Sequence, residues 1–418
     1  MSDPTPPPNS QPNPRPDPQR APTTDSGSVL EVFAAFLKLG LTSFGGPIAH
    51  LGYFRREFVE RRGWIGESQF AQLLALCQFL PGPASSQLGF SIGLLRAGWV
   101  GALAAFIAFT LPSAVLLFAF AAYLPQITGT IGDAAIHGLK LVALVVVAHG
   151  VLGMTRQLCP DVPRMTIATL AVVLILLSGQ VWIQLLVVAL GGVAGLVFCR
   201  RVQPVPGGGL NLRYGPKVGA ALVAVFVLLL VGLPLAAHGR DGLLAVSEAF
   251  YRAGALVFGG GHVVLPLLEE AVVTPGWISS DDFLAGYGAA QAVPGPMFTL
   301  AAYLGARIPG SEGGAVGASV ALVAIFLPGF LLVAGVLPLW RAIAGRPNAA
   351  RAIAGVNAAV VGLLGAALYD PVWTSAVRGP VDLAIALVGF TLLVAWRMSP
   401  LLVVLWCVLA SVAASIVG

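Results

Sequence analysis

Long apolar runs, separated by short stretches rich in Arg, Gly and Pro, organise the chain almost from end to end. In the first half they cover about 29 to 51, 70 to 95, 97 to 124, 131 to 153, 164 to 179 and 180 to 199. Six matching runs occupy 247 to 268, 283 to 306, 313 to 340, 349 to 370, 379 to 396 and 400 to 417, and one more, about 218 to 236, lies between the halves without a counterpart. The runs are continuous and do not alternate as barrel strands do, so they predict helices. At about 20 apolar residues per crossing, they predict a polytopic all-α membrane protein of 13 segments.

The halves repeat one another. Phe36-x-Lys38-x-Gly40-x-x-x-Phe44-Gly45-Gly46, Gly63-Trp64-Ile65, Gln78-x-x-Pro81-Gly82-Pro83 and Leu111-Pro112 recur as Phe250-x-Arg252-x-Gly254-x-x-x-Phe258-Gly259-Gly260, Gly276-Trp277-Ile278, Gln291-x-x-Pro294-Gly295-Pro296 and Leu327-Pro328. All four landmarks recur in the same order at nearly the same offset, which marks a duplication. An unpaired linker span inverts the second repeat in the membrane if each repeat crosses an even number of times. The expected domains are a Pro-rich cytoplasmic tail (1–28), an N-terminal transporter repeat (29–199), a linker with one span (200–246) and a C-terminal repeat (247–418).

Composition agrees: 57% hydrophobic, 10% charged and a mean hydropathy of +0.88 exclude a soluble fold. The net charge of +5 comes without a basic stripe or interleaved aromatics, so no nucleic-acid partner is implied; the lipid bilayer is the expected surrounding. Cys77, Cys159, Cys199 and Cys407 lack CxxC spacing and neighbouring His pairs, so neither a metal nor a disulfide is expected. The stretch before Val29 is dominated by proline and has no apolar core, which predicts a disordered tail and no signal peptide.

Charge bears on orientation, because Lys and Arg concentrate in short cytoplasmic loops. If all 13 segments span, the loop with Arg55, Arg56, Arg61 and Arg62 faces outward, and basic residues divide 13 inside to 7 outside. If the FGG and PGP segments of each half are re-entrant hairpins, they divide 17 to 3, with Lys38, Lys140 and Arg252 intramembrane. The distribution favours nine full spans plus four hairpins. Both versions place the N-terminus in the cytoplasm and the C-terminus in the periplasm or outside the cell. RREFVERR, from Arg55 to Arg62, reads as an amphipathic interfacial helix.

Proline lacks an amide hydrogen, so Pro81-Gly82-Pro83 and Pro294-Gly295-Pro296 interrupt their helices, and the FGG glycines favour further breaks. Irregular backbone at membrane depth is tolerated where it is buried in protein or lines a wet cavity. Four breaks at matching places in inverted halves point to a midplane site, and the helix N-termini beyond them favour an anion. Gln78 and Gln291 precede the two PGP elements. Lys38 and Arg252 are equivalent cations on apolar segments, lining the pathway, snorkelling from near a helix end, or paired with Glu31 and Glu248 seven and four residues upstream. His50 and His262 are candidates to carry a coupling proton, and Lys140 with His137 is a weaker one. No Walker A lysine, HExxH, GxSxG or haem-type histidine pair is present, so neither an enzyme nor a cofactor is implied.

FLKLGLTSFGGPIAHLGYFRREFVERRGWI with QFLPGP, repeated as FYRAGALVFGGGHVVLPLLEE with QAVPGP, resembles the chromate transporter family in its long two-domain form from about residue 29 onward. The resemblance implies export of chromate from the cytoplasm across the bacterial inner membrane, driven by the proton motive force and conferring resistance, with sulfate as a structural analogue and competitor. Carried over residue by residue, Phe44, Gly45, Gly46, Pro81, Gly82 and Pro83, with Phe258, Gly259, Gly260, Pro294, Gly295 and Pro296, match the family's signature positions. A sulfate or other oxyanion permease and a non-transporting scaffold or accessory subunit remain alternatives, and a homodimer is left open.

Overall fold

A computed structural model of the chain describes residues 27–178, 183–202, 212, 214–239, 242–258, 261–340 and 345–417. The expected tail, apart from Gly27 and Ser28, lies outside them, as do Gly259 and Gly260.

The first repeat runs α1 (Val29–Thr42), α2 (Gly46–Phe54), a π-helical turn (Arg55–Arg61), α3 (Glu67–Phe79), α4 (Ala84–Tyr123), α5 (Thr130–Leu158), α6 (Val162–Ser178) and α7 (Ile183–Phe198). After the linker helix α8 (Pro216–Ala237), the second runs α9 (Leu243–Ala255), α10 (Val264–Val272), α11 (Ser280–Ala290), α12 (Leu300–Arg307), α13 (Gly314–Val336), α14 (Pro347–Ala367), α15 (Pro380–Val394) and α16 (Pro400–Val417). The breaks predicted at FGG and PGP fall between α1 and α2, between α3 and α4, and between α11 and α12.

Helix α4 is two arms. Its backbone leaves helical geometry at Ala97 and Gly98, and a Cβ on Gly93 would lie 2.5 Å from the Gly101 carbonyl oxygen. Straight helix would separate those backbones by about 12 Å, so the arms fold back on each other. Gly305 of α12 and Gly317 of α13 repeat this contact in the second half.

Close glycine contacts set the packing. A Cβ on Gly40 of α1 would lie 2.8 Å from the carbonyl oxygens of Ala108 and Phe109 on α4, where Pro112 removes the donor for the Ala108 carbonyl. Its mate Gly254 sits against Ile325 of α13, just before Pro328. The later helices interlock between repeats: Gly138 of α5 packs on Cys407 and Val408 of α16, and Gly191 and Gly195 of α7 pack on Gly355 of α14. Small residues bring membrane helices close enough for dispersion to hold them, since lipid gives no hydrophobic drive for association.

Outward faces carry large apolar side chains, such as Leu177 on α6 and Leu228 and Leu235 on α8, as a lipid-facing surface requires. Five stretches are long and apolar enough to cross a bilayer: Ala84–Gln126, Thr130–Leu158, Pro216–Ala237, Gly314–Leu339 and Pro347–Ala376. Shorter apolar helices are α6, α7, α15 and α16. By contrast α1, with 14 residues, and α3, with 13, reach only about 20 Å against a hydrocarbon core of about 30 Å.

The RREFVERR stretch winds as the π-helical turn with Phe58 buried. Arg62 Nε donates to Glu57 at 2.7 Å and Arg61 Nη1 at 2.9 Å. Burial alone would raise the Glu57 carboxyl, but these two arginines hold it below its ordinary value.

Candidate functional site

The breaks of opposite repeats meet in pairs. In the first crossing, the Gly295 amide of the second repeat's PGP donates to the Ser43 carbonyl at 3.0 Å, immediately before the first repeat's FGG. In the second, the Gly82 amide of the first repeat's PGP donates to the Val257 carbonyl at 2.7 Å, immediately before the second repeat's FGG. Ser43 and Val257 are repeat mates, as are Gly82 and Gly295. Each bond joins a carbonyl at a helix end to an amide in a break, two groups that no helix ladder can satisfy and no lipid can hydrate.

Side chains complete the crossings. The His50 ring, fully buried, donates from Nε2 to the Ser43 carbonyl at 3.1 Å and meets Phe109 edge-on, with centroids 5.3 Å apart. Ser113 Oγ donates to the Thr110 carbonyl at 2.9 Å and lies 2.8 Å from where a Cβ on Gly295 would stand. Across the pseudo-symmetry, Gln87 Nε2 donates to the carbonyls of Pro81 at 2.9 Å and Gly329 at 3.0 Å. A Cβ on Gly82 would meet Gln87 Nε2 at 2.9 Å and the Gly329 Cα at 3.0 Å.

Five buried polar atoms on these elements have no hydrogen-bond partner: Ser43 Oγ, Ser86 Oγ, Thr110 Oγ1, Gln87 Oε1 and His50 Nδ1. Ser85, Ser86 and Gln87 form the first turn after PGP, and α4 begins there without a side-chain cap. An uncapped helix start beside free hydroxyls offers donors to an anion. Ser43, Ser86, Gln87, Thr110 and Ser113 escaped the reading of the sequence. The legible signal was Ser85-Ser86-Gln87 inside an otherwise apolar run.

The other predicted residues divide. Pro81, Gly82, Pro83, Pro294, Gly295 and Pro296 lie in the crossings, and Phe44, Gly45, Gly46 and Phe258 flank them, half-buried except for the exposed Gly45. Gln78 is exposed on α3, whereas Gln291 is buried, with Nε2 3.4 Å from the Tyr287 carbonyl. Lys38 is exposed, and no ion pair to it occurs among the described residues. Its mate Arg252 pairs with Glu248 at 2.7 Å and Glu270 at 3.1 Å, beside a cavity of about 430 Å³ also lined by His238, Thr274 and Trp277. His262 shares a 2.9 Å hydrogen bond between Nδ1 and Tyr287 Oη and packs on Gly150 of α5. Lys140, buried on α5, reaches Asp281 at 2.5 Å, and His137 reaches Asp382 at 2.9 Å.

Two interlocked repeats of apolar helices, crossing at paired breaks, define an all-helical membrane transport protein. The chain belongs to the chromate transporter family, whose model matches residues 30–196 and again 244–412. A chromate transport protein of Pseudomonas aeruginosa is 29% identical over 373 residues, covering 88% of this chain and 87% of that protein. A probable chromate transport protein of Synechococcus elongatus is 30% identical over 371 residues, covering 82% and 87%. One from Cupriavidus metallidurans is 28% identical over 379 residues, covering 88% and 89%. No solved structure matches the chain.

Proposed function

We propose that this protein is a secondary active transporter of the bacterial inner membrane that exports chromate from the cytoplasm, draws on the proton motive force and confers chromate resistance. Family membership carries the substrate, and the reciprocal crossing of the four breaks carries the site. Its repeats, 29–199 and 247–418, sit inverted about the linker span in 200–246, with the N-terminus inside and the FGG and PGP segments as hairpins. The short α1 and α3, beside nine longer apolar helices among the described residues, favour that arrangement. His50 and His262 are the groups placed to carry a proton, the first because it touches a crossing directly.

A second reading, a sulfate permease, rests on the same site, because chromate and sulfate are both tetrahedral dianions. Radiolabelled chromate uptake into everted membrane vesicles separates the two. The proposal expects uptake that collapses with an uncoupler and that sulfate competes with only weakly. Sulfate uptake without chromate uptake moves the assignment to the permease, and uptake of neither by intact protein removes both.

A further inference from the structure

We infer that the anion is seated at one crossing alone, against the hydroxyls of Ser43 and Thr110, and that the pseudo-symmetric crossing is a strut without a ligand. This rests on the transport of a tetrahedral oxyanion proposed above, and it assigns binding residues that the duplicated motifs do not contain.

Comparison of repeat mates carries the argument. Around the first crossing stand Ser43, His50, Thr110 and Ser113, and their mates around the second are Val257, Val264, Phe326 and Gly329. All four polar positions become apolar. The backbone bond between breaks is retained in both crossings, so the duplication preserved the scaffold while these four positions are polar in one copy alone.

Hydrogen bonding then selects the ligand. Ser43 is 1% exposed and Thr110 2%, and neither hydroxyl has a partner. Leaving a buried hydroxyl unpaired is unfavourable, and such groups in native proteins are usually met by water or ligand. The nearby carbonyls are already engaged, that of Ser43 by Gly295 and His50 and that of Thr110 by Ser113, and the acceptor still open, His50 Nδ1, can take the proton of only one of the two hydroxyls. A donor is therefore left over. Among the described residues no carboxylate is hydrogen-bonded to this cluster, so an acceptor-only ligand such as a tetrahedral oxyanion matches it.

The second crossing is filled differently, and the one hydroxyl left unpartnered beside it is that of Ser86. The Gln87 amide spans the carbonyls of Pro81 and Gly329, and its own unpartnered atom is Oε1, an acceptor that repels an anion. Phe326 fills the Thr110-equivalent position and packs on Phe106, Phe298 and Phe330.

The test is equilibrium binding of radiolabelled chromate, and separately of sulfate, to the purified full-length chain in proteoliposomes, with size-exclusion profiles to establish folding. Ser43→Ala and Thr110→Val should each raise Kd about tenfold, the loss of one hydrogen bond to a charged acceptor. Thr110→Ser, which keeps the hydroxyl, should restore binding. Val264→Ala and Phe326→Leu, at the mate positions, should change Kd by less than about threefold. Wild-type affinity in both Ser43→Ala and Thr110→Val overturns the inference, as does a loss confined to Ser86→Ala. Wild-type protein that binds neither anion brings down the proposed function itself, a result distinct from binding that ignores the hydroxyls.

Discussion

The amide of Gly295 and the carbonyl of Ser43, which stand in different repeats, meet at 3.0 Å and tie the PGP break of one repeat to the FGG break of the other. Gly82 and Val257 repeat the bond from the opposite side. Neither repeat satisfies its own broken backbone. Each supplies an amide to a carbonyl of the other, so the crossings form only when both repeats are assembled.

Leucine in place of Gly82 or Gly295 should abolish transport while leaving membrane insertion intact. Their φ angles are +121° and +109°, where a side chain is strained by about 1–2 kcal/mol. The new Cβ would also stand 3.0 Å from the Gly329 Cα in one case and 2.8 Å from Ser113 Oγ in the other. Chromate uptake into everted vesicles, with the protein quantified in the membrane fraction, checks this. Normal uptake by both variants would remove the crossings from the mechanism.

Gln87→Leu should destabilise the protein. It strips the Nε2 donor from the half-buried Pro81 carbonyl, at about 1–3 kcal/mol for the group left unsatisfied, and unties the break from Gly329 inside α13. Thermal unfolding in detergent should shift down by about 1 °C per kcal/mol lost, because the unfolding entropy grows with the length of the chain. An unchanged midpoint would mean that Gln87 does not brace the crossing.

Backbone chemistry is what the sequence makes legible. Proline and glycine act locally, so the breaks at Gly45, Gly82 and Gly295 and the duplicated order of helices follow from residue type and spacing alone. Which break meets which does not, because Gly82 and Val257 belong to different repeats and nothing local encodes their pairing. The glutamines show a second limit. Gln78 drew notice because it recurs as Gln291, yet it is exposed on α3. Gln87, which spans the crossing, is Leu300 in the other repeat. Searching for repetition finds shared scaffold and passes over residues that one copy alone carries. Ser43 and Thr110 were missed for the same reason.

Lys38 and Arg252 should behave differently when replaced by alanine. Lys38 is exposed and without an ion pair among the described residues, so Lys38→Ala should raise the KM for chromate at low salt and lose its effect near 0.5 M salt, roughly where screening shortens to a few ångströms. Arg252 bridges Glu248 and Glu270, so Arg252→Ala leaves two carboxylates facing each other and should lower stability, by about 1 kcal/mol once its partial exposure is allowed for. Wild-type KM in Lys38→Ala at every salt concentration would return that lysine to snorkelling at a helix end.

The membrane disposition can be read from two engineered cysteines. The four native cysteines are all buried and free, so they compete little for a bulky charged maleimide. Arg56 is exposed after α2 and Thr274 is exposed after α10, each in the stretch between FGG and PGP of its own repeat. If the FGG and PGP segments are hairpins, Arg56→Cys should label in everted vesicles and not in intact cells, because its loop lies with the cytoplasmic arginines. Thr274→Cys should show the reverse, since inversion carries its acidic loop, with Glu269, Glu270, Asp281 and Asp282, to the other face. Labelling of Arg56→Cys from outside would make all 13 segments full spans. Labelling of both cysteines from one side would overturn the inversion of the repeats, and with it a site shared between halves that face opposite ways.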